Sequence, residues 1–134
     1  MTSQRTPHSR TRILIVEDEP TVAQMLADVL EADGHEVEVA ANGILALEKI
    51  EARPYDLIIS DLRMPGLDGV GLYREIKRRQ PTLLSRFVFV SGTADDPEYR
   101  RFLAESAVPI LAKPFVLADL HQLIRRVLST HERA

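Results

Sequence analysis

The sequence predicts an α/β fold, a five-stranded parallel sheet doubly wound with helices on both faces, and three observations carry that prediction. Short unbroken apolar runs, such as Ile13-Leu14-Ile15-Val16 and Leu57-Ile58-Ile59, read as strands buried on both faces of a sheet. Between such runs lie stretches whose apolar residues recur at helical spacing. Turn signals punctuate the changes from one to the other, among them Asp33-Gly34, Arg53-Pro54 and Pro65-Gly66. Strands that alternate with helices through short connections make a parallel sheet covered on both sides.

The first strand is Arg12–Val16, and it ends at Glu17-Asp18-Glu19-Pro20. Pro20 suits the first turn of a helix, where a missing N–H costs nothing. Val22, Met25, Leu26, Val29 and Leu30 give that helix an apolar stripe through Ala32, and Gly34 is the expected left-handed residue that closes it. Glu36–Ala40 alternates, as a more exposed strand does. Asn42 is the expected N-cap of the second helix, whose stripe is Ile44, Leu45, Leu47 and Ile50. The third strand runs into Asp61, with a loop from Leu62 to Asp68. From Gly69, Val70, Leu72, Tyr73 and Ile76 pattern a third helix that ends near Lys77-Arg78-Arg79, cations that complement a helix C-terminus.

Arg86–Val90 is the fourth strand, delivering Ser91-Gly92-Thr93. Asp96-Pro97-Glu98 starts a weaker helix to Ala104 or Ser106, with Phe102 expected in the core. Pro109–Ala112 is a short fifth strand, followed by Lys113-Pro114-Phe115, with Phe115 again expected in the core. Leu117, Leu120, Leu123, Ile124, Val127 and Leu128 mark the final helix, with His121 on its surface. The first and third strands are the most apolar and belong at the centre, which favours the flavodoxin-like strand order 2-1-3-4-5.

At 134 residues, 45% hydrophobic and 28% charged, the chain is expected to form one domain over 12–128, with a disordered leader over 1–11 and a loose tail over 129–134. Cys is absent, which removes disulfides and thiolate metal sites and suits a cytoplasmic setting. No apolar run is long enough to span a bilayer, so no membrane insertion is expected. Arg5, Arg10 and Arg12 lack an apolar core beside them, so the N-terminus is not a secretory signal. A formal net charge of -3 argues against direct nucleic-acid binding. No glycine-rich turn follows the first strand, which excludes a dinucleotide enzyme.

Four polar features stand at strand ends: Glu17-Asp18, Asp61, Ser91 and Lys113. Parallel strands share one carboxyl edge, where open α/β sheets place their ligands, so these groups should converge. Three carboxylates on a small surface repel one another and call for a cation. An oxygen-only set without His or Cys fits Mg²⁺. A Lys and a Ser hydroxyl beside it suit a phosphoryl group.

Read together, Ile-Leu-Ile-Val-Glu-Asp-Glu-Pro (13–20), Asp-Leu-Arg-Met-Pro-Gly-Leu-Asp-Gly (61–69), Val-Ser-Gly (90–92) and Lys-Pro-Phe (113–115) resemble the receiver domain of two-component response regulators, over Thr11 to Leu128. The resemblance implies that Asp61 is the phosphoacceptor, attacking the phosphohistidine of a sensor histidine kinase or phosphotransfer protein to give an acyl phosphate. It implies Mg²⁺ bound directly by Asp18 and Asp61, through water by Glu17, and by the backbone carbonyl of Arg63. Lys113 resembles the lysine that pairs with a phosphoryl oxygen, and Ser91 the hydroxyl residue that moves to the phosphate. A cis bond between Lys113 and Pro114 is expected on the same ground. Such a domain is a switch that catalyses only its own phosphorylation and dephosphorylation.

The sequence departs from that pattern at Ile110, where many receivers carry an aromatic ring that swings on activation. Arg63 and Thr93 occupy the two variable positions flanking the site, and Arg63 is expected to cover part of the phosphoryl group. The phrasing around Ile110, together with Arg63, is similar to receivers attached to hybrid kinases. A stand-alone regulator and a receiver cut from a larger protein both fit, and homodimerisation stays open. Two other classes compete. A pseudo-receiver would act as a phosphorylation-independent interaction domain, which the complete set Glu17, Asp18, Asp61, Ser91 and Lys113 argues against. A phosphohydrolase working through an aspartyl-phosphate needs a second carboxylate two residues after the nucleophile, where this chain has Arg63.

Overall fold

The computed structural model describes residues 11–132. Five strands, β1 (Arg12–Val16), β2 (Glu36–Ala40), β3 (Leu57–Ser60), β4 (Phe87–Ser91) and β5 (Ile110–Ala112), pair in parallel in the order β2-β1-β3-β4-β5. Five helices intervene: α1 (Pro20–Ala32), α2 (Gly43–Ala52), α3 (Gly69–Arg79), α4 (Pro97–Ser106) and α5 (Leu117–Glu132). The expected fold class and strand order are both found.

Alternation along the strands divides the core in two. Leu14, Val16, Ile58, Phe87 and Phe89 face α2, α3 and α4, where they meet Leu47, Ile50, Leu72, Ile76 and Tyr99. Ile13, Ile15, Leu57, Ile59, Val88 and Val90 face α1 and α5, where they meet Leu26, Leu30, Leu120, Ile124 and Val127. Every residue of β3 and β4 is buried, as a central parallel strand requires. Phe102 and Phe115 both pack against this core, Phe102 edge-on to Tyr73 and Phe89 with centroids 5.1 and 5.9 Å away.

Helix ends follow the local chemistry. Asn42 accepts the Leu45 N–H at 2.9 Å and Asp96 the Glu98 N–H at 3.2 Å, as N-caps. Gly34 takes φ +94° after α1, a conformation a Cβ disfavours. Lys77, Arg78 and Arg79 lie in the last turn of α3, where Arg78 pairs with Glu75, and Arg79 with Glu75 and with Glu51 of α2.

Several expectations are corrected. The faces of α1 and α2 are rotated from the predicted stripes. α1 buries Ala23, Leu26, Ala27 and Leu30, leaving Met25 40% exposed. α2 buries Gly43, Ala46, Leu47 and Ile50, leaving Ile44 54% exposed and Leu45 exposed as well. Both buried faces keep the i, i+3, i+4, i+7 spacing but start on a small residue, and at Gly43 a Cβ would lie 2.6 Å from the Leu67 carbonyl oxygen. A 3-10 turn over Pro81–Arg86 takes up Arg86, so β4 starts at Phe87 and includes Ser91. β5 starts at Ile110 rather than Pro109, although the Pro109 carbonyl accepts the Phe89 N–H at 3.0 Å.

The tail expected to be loose from Ser129 is helical to Glu132. Its residues are polar but include neither Gly nor Pro, and Ser129 Oγ bonds the Arg126 carbonyl within the helix. His121 is half-buried rather than free on the surface, its Nε2 2.8 Å from Asp33 Oδ2 at the end of α1. The expected leader over 1–11 lies outside the described residues apart from Thr11. Among the described residues no helix is long and apolar enough to cross a membrane.

One polar knot on the sheet edge yields a pH prediction. Glu38 of β2 accepts hydrogen bonds from Tyr55 Oη and Arg53 Nη1, both at 2.6 Å, with Lys49 3.7 Å away. Burial alone would raise the Glu38 carboxyl, but the Tyr55 hydroxyl and the cations outweigh it and hold it below the ordinary value of 4.5. The unfolded chain therefore takes up this proton first as pH falls. The stabilisation is complete above the unfolded value and is lost as pH falls through the lower folded one. Glu38→Gln is expected to flatten the fall in melting temperature between about pH 5 and 3 relative to wild type, as thermal unfolding followed by circular dichroism will read.

Candidate functional site

The site is built at the carboxyl edge of the sheet by hydrogen bonds that run one residue past the strands. The Glu17 N–H donates to the Ala40 carbonyl at 3.0 Å, extending the β1–β2 ladder. The Asp61 N–H donates to the Val16 carbonyl at 3.1 Å, extending β1–β3. The Lys113 N–H donates to the Ser91 carbonyl at 2.9 Å, extending β4–β5. Each side chain thus leaves the sheet at a backbone position that the strands already fix.

Their heads converge. Lys113 Nζ lies 3.4 Å from Glu17 Oε1 and 3.4 Å from Asp61 Oδ2. The other oxygen of Asp61 accepts the Leu62 N–H at 2.7 Å, and Glu17 Oε2 accepts the Glu19 N–H at 3.2 Å. Glu17 is only 3% exposed, whereas Asp18 is exposed. Burial pushes the Glu17 carboxyl up, and the Asp61 charge adds to this, against the Glu19 N–H and Lys113. Burial would lower the Lys113 ammonium, but the charges of Asp61 and Glu17 win and hold it above its ordinary value. The bond between Lys113 and Pro114 is cis, as expected.

Carboxylate oxygens of Glu17, Asp18 and Asp61 lie within 4.8 Å of one another. Three carboxylates face one ammonium, so the cluster keeps an excess of negative charge. Its donors are all oxygen and one of them is open to water, a set that fits Mg²⁺.

Ser91 is 1% exposed, and its hydroxyl is turned toward Thr93. Ser91 Oγ and Thr93 Oγ1 share a hydrogen bond at 2.8 Å, and the Thr93 N–H donates to Ser91 Oγ at 3.0 Å. Ile110 is half-buried in β5 against the α2–α4 side of the core. Without a phosphoryl group at Asp61, Arg63 turns to the start of α4. Its Nη2 bonds Asp96 Oδ2 and Glu98 Oε1, each at 2.8 Å, and its guanidinium lies 5.4 Å from the Tyr99 ring centroid.

Two features were not legible beforehand. Asp96 and Glu98, partners of Arg63, are distant in sequence and carry no motif. In the sequence Gly69 marks only a helix start, yet a Cβ there would lie 2.3 Å from the Asp61 carbonyl oxygen and 2.9 Å from Leu62 Cα. A glycine at a first helical position, where other residues are better helix formers, is the signal that marks such close approach.

Fold and edge together define a signalling domain of the response regulator class. The family model for the response regulator receiver domain matches residues 13–125, and the chain belongs to that family. It is 35% identical to the sensor kinase CckA of Brucella abortus, over 90% of this chain but only 13% of that protein. It is 32% identical to the response regulator receiver protein CpdR of the same organism, over 87% of this chain and 96% of that one. It spans about half the length of other relatives, 52% in the response regulator ArlR of Staphylococcus saprophyticus and 46% in the transcriptional regulatory protein TcrA of Mycobacterium tuberculosis. Among solved structures it is similar to the response regulator TrrA of Thermotoga maritima in complex with Mg²⁺-BeF. There the TM-score is 0.76 at 30% identity, covering 88% of this chain and 99% of that one.

Gly69→Ala is expected to destabilise the fold by about 1–3 kcal/mol, because the clash is with backbone that cannot yield. Gly71→Ala serves as the contrast, since its new Cβ would meet the movable end of Leu67. Urea denaturation of the two variants should show a clearly larger loss for Gly69→Ala.

Proposed function

We propose that this chain is a phosphorylation-switched receiver whose phosphoacceptor is Asp61. A carboxylate oxygen of Asp61 attacks the phosphorus of a phosphohistidine on a sensor histidine kinase or phosphotransfer protein. The P–N bond breaks, its electron pair stays on the imidazole nitrogen, which takes a proton, and an acyl phosphate results. The observation that carries this reading is the Lys113 ammonium set equally between Glu17 and Asp61 inside the acidic cluster.

Lys113 holds a phosphoryl oxygen and offsets its charge. Ser91 leaves Thr93 to bond the phosphoryl group, so the switch begins in the β4–α4 loop. With Ile110 in place of a ring, it proceeds through that loop and α4. Asp18 and Asp61, Glu17 through water, and the Arg63 carbonyl would hold Mg²⁺, as TrrA's complex with Mg²⁺-BeF encourages. When bound, Mg²⁺ supplies positive charge between the anionic nucleophile and the anionic phosphoryl group. We place the domain in the cytoplasm over 12–128, with α5 running on to Glu132, acting on a downstream protein and with homodimerisation as one form of output.

Incubation with acetyl phosphate and Mg²⁺ is expected to add the mass of one phosphoryl group to the intact protein. The adduct should be absent after EDTA treatment and in Asp61→Asn. No adduct on folded wild-type protein would leave a phosphorylation-independent interaction domain as the better reading.

A further inference from the structure

Arg63 projects from a loop whose backbone is held on either side, since Leu62 and Met64 are both buried. Its own side chain is 51% exposed, so the guanidinium can move while its backbone stays. It is held at the start of α4 by three contacts at once. Asp96 uses Oδ1 to cap the helix and Oδ2 to bind Arg63, Glu98 supplies the second carboxylate, and Tyr99 lies under the guanidinium.

α4 is the helix for which such polar contacts matter most. It buries only Tyr99 within its own span, whereas α1, α2 and α3 each bury four residues. The polar contacts also form a circuit. Ser91 Oγ bonds Thr93 Oγ1, the Thr93 carbonyl accepts the Asp96 N–H at 3.0 Å, and Asp96 binds Arg63. Ser91 and Arg63 thus stand at the two ends of one chain of bonds, and each is a group with affinity for a phosphoryl oxygen.

We propose that Arg63 is a latch with alternative anionic partners: Asp96 and Glu98 before Asp61 is phosphorylated, and the phosphoryl group afterwards. The latch rests on the phosphoacceptor reading of Asp61. Exposed ion pairs are individually weak and readily exchanged. A phosphoryl dianion two residues away offers the guanidinium a denser, bidentate partner. When Arg63 leaves, Asp96 and Glu98 lose the cation they share, Asp96 keeping only its cap to the Glu98 N–H, and the first turn of α4 loses its tie to the phosphoacceptor loop. The Ser91 hydroxyl moving the same way opens the circuit at its other end.

Hydrogen exchange of the full chain, with and without Mg²⁺ and beryllofluoride as the phosphoryl stand-in, tests this. In wild type, exchange in peptides over 96–102 should rise roughly two- to fivefold on adding the anion, the scale that exposed ion pairs support. Arg63→Gln should show the raised exchange without the anion, and little further rise with it. Glu98→Gln leaves Arg63 and the acidic cluster intact and should raise the unliganded exchange in part. The latch is overturned if Arg63→Gln matches wild type without the anion, or if the anion-induced rise survives undiminished in Arg63→Gln. Fluorine NMR reports beryllofluoride binding separately. Its absence in wild type would overturn the phosphoacceptor reading and the exchange of partners with it. The unliganded comparison would still say whether Arg63 holds α4.

Discussion

Three backbone hydrogen bonds, each one residue beyond a strand, decide where the chemistry of this molecule sits. Glu17 to Ala40, Asp61 to Val16 and Lys113 to Ser91 carry the ladder past β1, β3 and β5. Because every pairing in the sheet is parallel, all three overhangs fall on the same edge. The register behind them is held by the two cores. A slip of one residue in β3 would send Ile58 to the α1–α5 side and Ile59 to the α2–α4 side, reversing every buried contact of that strand. The position of Asp61 is therefore a consequence of packing, with no separate device needed to hold its backbone.

What that edge collects is an electrostatic imbalance. Burial acts against the charged form of both Glu17 and Lys113, yet the outcomes differ. Glu17 is pushed toward its neutral form by burial first, with the Asp61 charge adding to it against the Glu19 N–H and Lys113. Lys113 stays charged because two carboxylates outweigh its desolvation. Both directions say that the pocket resists more negative charge and accepts positive charge. A phosphoryl group entering alone would meet that resistance. It becomes acceptable once positive charge accompanies it, which gives a physical reason for the acidic cluster and Lys113 to stand together.

The fold was largely legible because it rests on local periodicity. Apolar runs in β1, β3 and β4 are strands buried on both faces, and Asn42, Gly34 and Asp96 mark helix ends by their own side-chain or backbone chemistry. The residues of the candidate site were legible because they stand at or just past the carboxyl ends of strands. What escaped notice was smallness and distance. Ala23, Ala27, Gly43 and Ala46 face the interior through their lack of bulk, while pattern reading favours large residues such as Met25, Ile44 and Leu45. Gly69 matters for what it leaves empty beside Asp61. The partners of Arg63 lie in another element, and no local pattern links them. The last turns of α5 carry polar residues that neither favour nor forbid a helix, so composition alone suggested a loose tail.

The helices also differ in kind of attachment, and this shapes how the edge can act on the rest. α1, α2 and α3 are fixed by apolar burial, which is roughly proportional to area and has no alternative partner to exchange with. α4 joins the same core through Tyr99, Phe102 and Leu103, with only Tyr99 buried. It ends at Ala107 in a left-handed conformation that L side chains disfavour, and its start is secured by directional polar bonds. Directional bonds to charged groups can be exchanged for others of similar strength when a new charge appears nearby. Compared with α1, α2 and α3, α4 thus depends more on bonds that charge at the carboxyl edge can redirect, while the hydrophobic core keeps the sheet unchanged.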